Sequence, residues 1–187
     1  AEPIKGTRPR GIDEETDLAL KHDLATHPKD RAENIMIVDL LRNDLSHHAV
    51  PGSVRVTRLC SVESYATVHQ MVSTIDATLQ SPAHAADALR EAFPPGSMTG
   101  APKLSTMNIL DELEDQRARG LYSGAVGYLG ADGAADFSVV IRTLICDKLP
   151  DQSWRLSLGL GGAITADSIP EDEWDEVITK SRGVLQA

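Results

Sequence analysis

Residues 123–147 read SGAVGYLGADGAADFSVVIRTLICD. Two largely apolar runs, SGAVGYLG and ADFSVVIRTLICD, flank Ala131-Asp132-Gly133, a tripeptide suited to a hairpin turn. SWRLSLGL at 153–160 follows as a third strand, so the spacing predicts an antiparallel meander. Outside this stretch the period changes from two to that of a helix. One helix is expected from about Lys103 to Arg119. A last one follows SIPE at 168–171, where Ser168 and Glu171 are spaced as a capping box. Strands mixed with helices, without strict βαβ alternation, make the class α+β.

The first half fits the same class. Residues 1–11 read as extended, because Pro3 and Pro9 exclude a helix. From about Asp13 to Leu45 the pattern is helical, with a break at THPKD, 26–30. In RAENIMIVDLLRNDLS, Ala32, Ile35 and Val38 form one stripe, with Glu33, Ile37 and Leu40 beside it. GSVRVTRLCSVES alternates, Val54 and Val56 on one face and Arg55 and Thr57 on the other, as in a half-buried strand. ATVHQMVSTI reads as a second strand, and a helix from about Ala83 to Ala92 precedes FPPGSMTGAPK. No internal repeat or low-complexity tract interrupts the chain.

The 187 residues suffice for one core, and their 41% hydrophobic content and mean hydropathy of -0.20 describe a globular chain. A net charge of -10 argues against a nucleic-acid partner, whose phosphates need a basic surface. It leaves an anionic small molecule open, since a few local cations outweigh distant charge beyond a Debye length of about 10 Å. Cys60 and Cys146 belong to no metal or disulfide pattern, and no apolar run approaches a membrane span, so a reducing cytoplasm is the expected setting.

Several residues invite chemistry. Lys5, between Ile4 and Gly6, is either a solvated lysine or an amine held in a site, where desolvation makes it a nucleophile. GSMTGAPK (96–103) and GLGGAI (159–164) are glycine-rich but match no nucleotide motif. Gly96 and Gly100 are too close for a P-loop, and Ile164 stands where a dinucleotide fingerprint needs its third glycine. Each segment is either a tight turn or a set of backbone N–H groups suited to a carboxylate or phosphate. Glu173 and Glu176 lie at i, i+3, with Lys180 one turn further. They make a solvated face or, with a third carboxylate such as Glu33, a set of oxygen ligands for Mg²⁺. Arg142, in an apolar run, is expected at an edge or pointing into a site, where its fork suits a carboxylate and Tyr122 adds a second donor.

Together, PIKGTRPRG, ENIMIVDLLRNDLS, GSVRV, GSMTGAPK, YSGAVGYLGADGAADFSVVIRT and ADSIPEDEWDEVITK resemble the signature blocks of the chorismate-utilising enzymes, in order, from Pro3 to Leu185. The resemblance implies β-sheets packed as a sandwich with helices outside. It also implies that residues 1–187 are the C-terminal portion of one chorismate-binding domain, lacking an upstream block that carries a general acid/base glutamate. Where anthranilate, salicylate and isochorismate synthases typically read P-I/L-A-G-T, this chain has Lys5, which resembles component I of the aminodeoxychorismate synthase branch.

In that branch the lysine attacks the chorismate ring at C2 and expels the C4 hydroxyl. Ammonia from a glutamine amidotransferase subunit then adds at C4, and the lysine leaves. The resemblance further implies Glu33 and Glu173 as Mg²⁺ ligands with Glu176 close by, and the ring carboxylate near Gly161, Gly162 and Lys180. It puts Tyr122 and Arg142 on the enolpyruvyl carboxylate and Thr7 near the ring hydroxyl. The chain departs from the family in having Gln70 for a frequent histidine, with His69 facing the other side of the strand, and Ala163 for a glycine. Other readings are an anthranilate or isochorismate synthase with an unusual lysine, and a chain that binds without turnover.

Overall fold

The computed structural model of the chain describes residues 1–81, 84–164 and 168–185. Helices and strands are mixed, as the α+β reading expects. The chain divides into two compact units, Ala1–Lys103 and Leu104–Ala187.

The first unit runs β1 (Ile4–Pro9), α1 (Glu14–Thr26), α2 (Pro28–Ser46), β2 (Arg55–Ser64), β3 (Val68–Asp76), α3 (Ala85–Ala92) and α4 (Gly96–Thr99). The expected start of α3 at Ala83 lies outside the described residues. Helix α1 is capped by Asp13, whose side chain accepts from Thr16 N at 2.8 Å. The break near residues 26–30 falls at Pro28, which has no N–H to continue α1 and instead opens α2 behind the cap His27.

The strands form one antiparallel sheet in the order β1-β3-β2. Strand β3 is central, and its alternate residues His69, Met71, Ser73 and Ile75 are fully buried. Met71 joins Leu24 of α1 and Cys60 of β2 in the core. The stripe expected on α2 is displaced: Asn34 and Val38 are buried, one turn apart, while Ala32 and Ile35 are exposed. A buried asparagine displaces apolar neighbours from the inner face only when its amide is fully bonded, and here it is.

Edge strand β1 is clamped by charge. Arg8 reaches Asp23 at 2.7 Å and Asp30 at 2.9 Å. Arg10 grips Asp17 with both arms of its fork, at 2.7 Å each, and donates to Tyr65 O in the β2–β3 turn. Asp17 also accepts from Gly11 N and lies 2.9 Å from Nε2 of buried His69, whose Nδ1 meets Ser64 Oγ.

The second unit contains α5 (Lys103–Leu113), apart from its first residue, then β4 (Ala125–Leu129), β5 (Ala135–Val139), β6 (Leu144–Lys148), β7 (Trp154–Leu158) and α6 (Pro170–Leu185). Helix α5 ends before the expected Arg119 because Asp115 and Gln116 take left-handed backbone angles, φ 55° each. The Ala131-Asp132-Gly133 turn forms as expected, with Gly133 at φ 87°.

The expected three-stranded meander does not form. Residues 135–147 are two strands, giving separate hairpins β4–β5 and β6–β7. Pairing of β5 stops where Ile141 N folds back on Val139 O at 3.0 Å and Arg142 turns left-handed at φ 50°. The capping box is also shifted. Pro170 opens α6 and Ile169 O accepts its first bond from Glu173 N, so Ser168 precedes the cap and donates to Glu173 Oε1 at 2.6 Å instead.

The Arg10 fork, then Gly11 N–H and His69, hold the Asp17 carboxyl far below the usual carboxylate range. A depressed folded-state pKa stabilises the fold fully above the unfolded carboxylate value of about 4 and loses that effect as pH falls below it. Asp17→Asn is therefore expected to be less stable than the parent near neutrality, with the gap narrowing from about pH 4 downward. Urea denaturation of both proteins across that range measures it.

Candidate functional site

In the first unit the site residues sit on β1. Its register runs Ile4↔Val72 and then Thr7↔Gln70, leaving two residues of β1 opposite Met71 alone, so Lys5 and Gly6 form a β-bulge. Gly6 takes φ 102°, and a Cβ there would meet Leu24 Cδ1 at 3.0 Å and Asp30 Cβ at 3.2 Å. Only glycine fits that backbone and that approach. The bulge re-aims Lys5 toward α2, where Nζ lies 3.1 Å from Glu33 Oε2, with the two side chains 36% and 24% exposed. Lys5 is thus held, not free in solvent. Thr7 is exposed opposite Gln70, while His69 is buried against α1, as its one-residue offset implies.

In the second unit most of the remaining candidates gather around α6. Glu173 accepts from Ser168 and lines a shallow pocket with Gly162, Ile164, Trp174 and Val177. Glu176 pairs with Lys180 at 2.5 Å, and Lys180 Nζ also donates to Gly161 O at 3.0 Å, which ties the glycine pair to the helix. Arg142 is not inside a strand as expected. It lies in the link between β5 and β6 and lines a second depression with Glu176, Thr179 and Lys180. The left-handed turn that ends β5 removes it from the sheet and brings it to α6.

Tyr122, in the turn before β4, packs against Gly159 and Gly161. A Cβ on Gly159 would overlap the ring, and one on Gly161 would lie 2.8 Å from the hydroxyl. Burial raises the Tyr122 pKa, with Arg119 opposing and Glu114 assisting, so the phenol remains a proton donor at neutral pH. Arg119 Cζ stands 6.0 Å from the ring centroid and its fork is fixed by Glu114.

Among the described residues no three His, Cys, Asp or Glu side chains are grouped as a metal cage. The donor chemistry of Glu173 and Glu176 nevertheless fits Mg²⁺, which takes oxygen ligands and is commonly bound through one or two carboxylates plus water and substrate. GSMTGAPK does meet a carboxylate, but an internal one. Gly96 N donates to Asp44 Oδ2 at 3.3 Å and Lys103 pairs with Asp44 at 2.8 Å, so the segment holds a buried carboxylate of its own chain.

Asn34, Ser168 and Arg119 join these surroundings without being marked by the sequence pattern as site residues. In the sequence Ser168 has the spacing of a cap, and Arg119 stands at the expected end of a helix. Asn34 had one usable signal, an amide inside an apolar helix next to Glu33.

A family model described as a chorismate binding enzyme matches residues 1–186. The chain is 51% identical over 186 residues to an aminodeoxychorismate synthase of Streptomyces griseus, covering 100% of this chain and 25% of that one. It is 50% identical over 185 residues to aminodeoxychorismate synthase component 1 of Klebsiella aerogenes, covering 98% and 39%. The solved anthranilate synthase component I of Streptococcus pneumoniae superposes with a TM-score of 0.77 at 34% identity, covering 98% of this chain and 41% of that one. The chain therefore spans well under half the length of these relatives.

Gly159→Ala is expected to displace the Tyr122 ring and to destabilise the protein by about 1–3 kcal/mol, read by urea denaturation. Gly161→Ala meets only the hydroxyl end of the ring and should cost clearly less.

Proposed function

The chain belongs to the chorismate-binding enzyme family, and from that premise we propose that it supplies the chorismate-binding part of an aminodeoxychorismate synthase, component I. The observation that carries this reading is the placement of Lys5. It sits in a bulge that turns it out of the strand and onto Glu33. A tethered amine of this kind turns one difficult substitution at C4 into two allylic steps.

In the first step the neutral amine of Lys5 forms a bond to C2 of the ring, the double bonds shift, and the C4 hydroxyl leaves with a proton as water. In the second, ammonia bonds to C4, the double bonds return, and the C2–N bond to Lys5 breaks. Glu33, at 3.1 Å, is the carboxylate in reach of the ammonium proton that Lys5 must give up before attack. Burial keeps Tyr122 a donor, and with Arg142 it suits the enolpyruvyl carboxylate. Lys180 and the Gly161-Gly162 backbone suit the ring carboxylate, and Thr7 suits the ring hydroxyl.

Glu173 and Glu176 would hold Mg²⁺, which when bound supplies positive charge for the ring carboxylate. The family resemblance adds Glu33 to that ligand set. Ammonia would come from a glutamine amidotransferase partner, and the product would lead to p-aminobenzoate and folate. The expected setting is the cytoplasm, where Cys60 and Cys146 stay reduced. Among the described residues no helix is long and apolar enough to cross a membrane.

The intact protein with chorismate, Mg²⁺ and ammonia is expected to form aminodeoxychorismate. Lys5→Ala should lower that rate by a factor on the order of 100 or more, and chelation of Mg²⁺ should abolish it. Anthranilate as the main product, or an undiminished rate for Lys5→Ala, would contradict the assignment.

A further inference from the structure

We infer that Asn34 is a positioning residue for Lys5, holding the bulge that aims the amine. This rests on the reading of Lys5 as the nucleophile. Asn34 is fully buried on α2, immediately after Glu33. Its Nδ2 donates to Lys5 O at 3.3 Å and to Met71 O at 3.2 Å. Its Oδ1 accepts from Ser73 Oγ at 2.5 Å and lies 3.7 Å from Cys60 Sγ. Two carbonyls on one side and two donors on the other use both amide protons and both lone pairs, and they leave only one orientation of the group.

Lys5 lies in the bulge, outside the registered pairs of β1 with β3. A bulged residue loses its regular ladder partner, and the Asn34 amide supplies one from the adjacent helix. The same amide proton donor set bridges β1 to β3 through Met71 O, so it fixes the bulge relative to the central strand. Consecutive residues of α2 therefore grip Lys5 at both ends. Glu33 takes the ammonium and Asn34 takes the main-chain carbonyl. Leu24 and Asp30 close the space around Gly6, so the bulge has little room to relax once the amide is in place.

The test uses the intact protein carrying Asn34→Ala, with Ser73→Ala as a control. The control breaks the same buried network but leaves both amide donor bonds in place. Asn34→Ala is expected to lower kcat roughly 10- to 100-fold, with KM for chorismate within about threefold. Labelling of Lys5 by an amine-reactive reagent, read by peptide mass spectrometry against Lys29 and Lys148, should shift in the same variant. Ser73→Ala should lose thermal stability yet keep kcat and Lys5 labelling near the parent values. If Asn34→Ala does not fold, Asn34→Ser is judged by the same criteria below its melting temperature. A folded Asn34 variant with parental kcat and parental Lys5 labelling overturns the inference, as does a Ser73→Ala variant that loses kcat equally. Should Lys5→Ala leave the activity intact, the reading of Lys5 fails, and the labelling comparison still decides whether Asn34 positions it.

Discussion

One buried amide joins three strands to a helix. Through its four contacts Asn34 links α2 to the carbonyls of β1 and β3, and through Ser73 to the Cys60 amide of β2. Leaving a buried polar group unpaired costs about 1–3 kcal/mol, so removing the amide strands several groups at once. The apolar core beside it is small, with Leu24, Cys60 and Met71 at its centre. In so modest a core, polar satisfaction decides the relative placement of strands as much as packing does.

Charge does the corresponding work at the edge. Among the described residues strand β1 pairs only with β3, and edge strands need some device against slipping or adding partners. Here Arg8 and Arg10 follow the bulge and are met by Asp23, Asp30 and Asp17 from the two helices. The chain carries a net charge of -10, yet Lys5, Arg8 and Arg10 concentrate positive charge along this strand, and Lys180 does so beside Glu176 on α6. Overall acidity therefore says little about the sign of the potential where a carboxylate ligand would bind.

In the second unit, glycine plays the part that the amide plays in the first. Tyr122 occupies the space that side chains at 159 and 161 would fill, and Lys180 holds the Gly161 carbonyl. The absence of two Cβ atoms thus brings an aromatic hydroxyl, a lysine and two glutamates to neighbouring positions. The glycines of GSMTGAPK serve a different end, closing on the buried Asp44.

The α+β class, the two helices split at Pro28, the β2 and β3 strands and the Ala131-Asp132-Gly133 turn are all legible along the chain. These follow from local periodicity, proline and turn chemistry, which act over a few residues. The sequence also marks Lys5, Glu33, Tyr122, Glu173, Glu176 and Lys180, because charged or polar residues in unusual settings are visible in one dimension. That Lys5 sits in a bulge against Glu33, that Asn34 is buried and that Arg142 leaves the sheet depends on long-range packing and pairing. An apolar run such as SVVIRTLIC has the same composition whether it is one strand or two. Whether its pairing continues depends on which backbone groups find partners across the hairpin, and that is a property of the fold and not of the run.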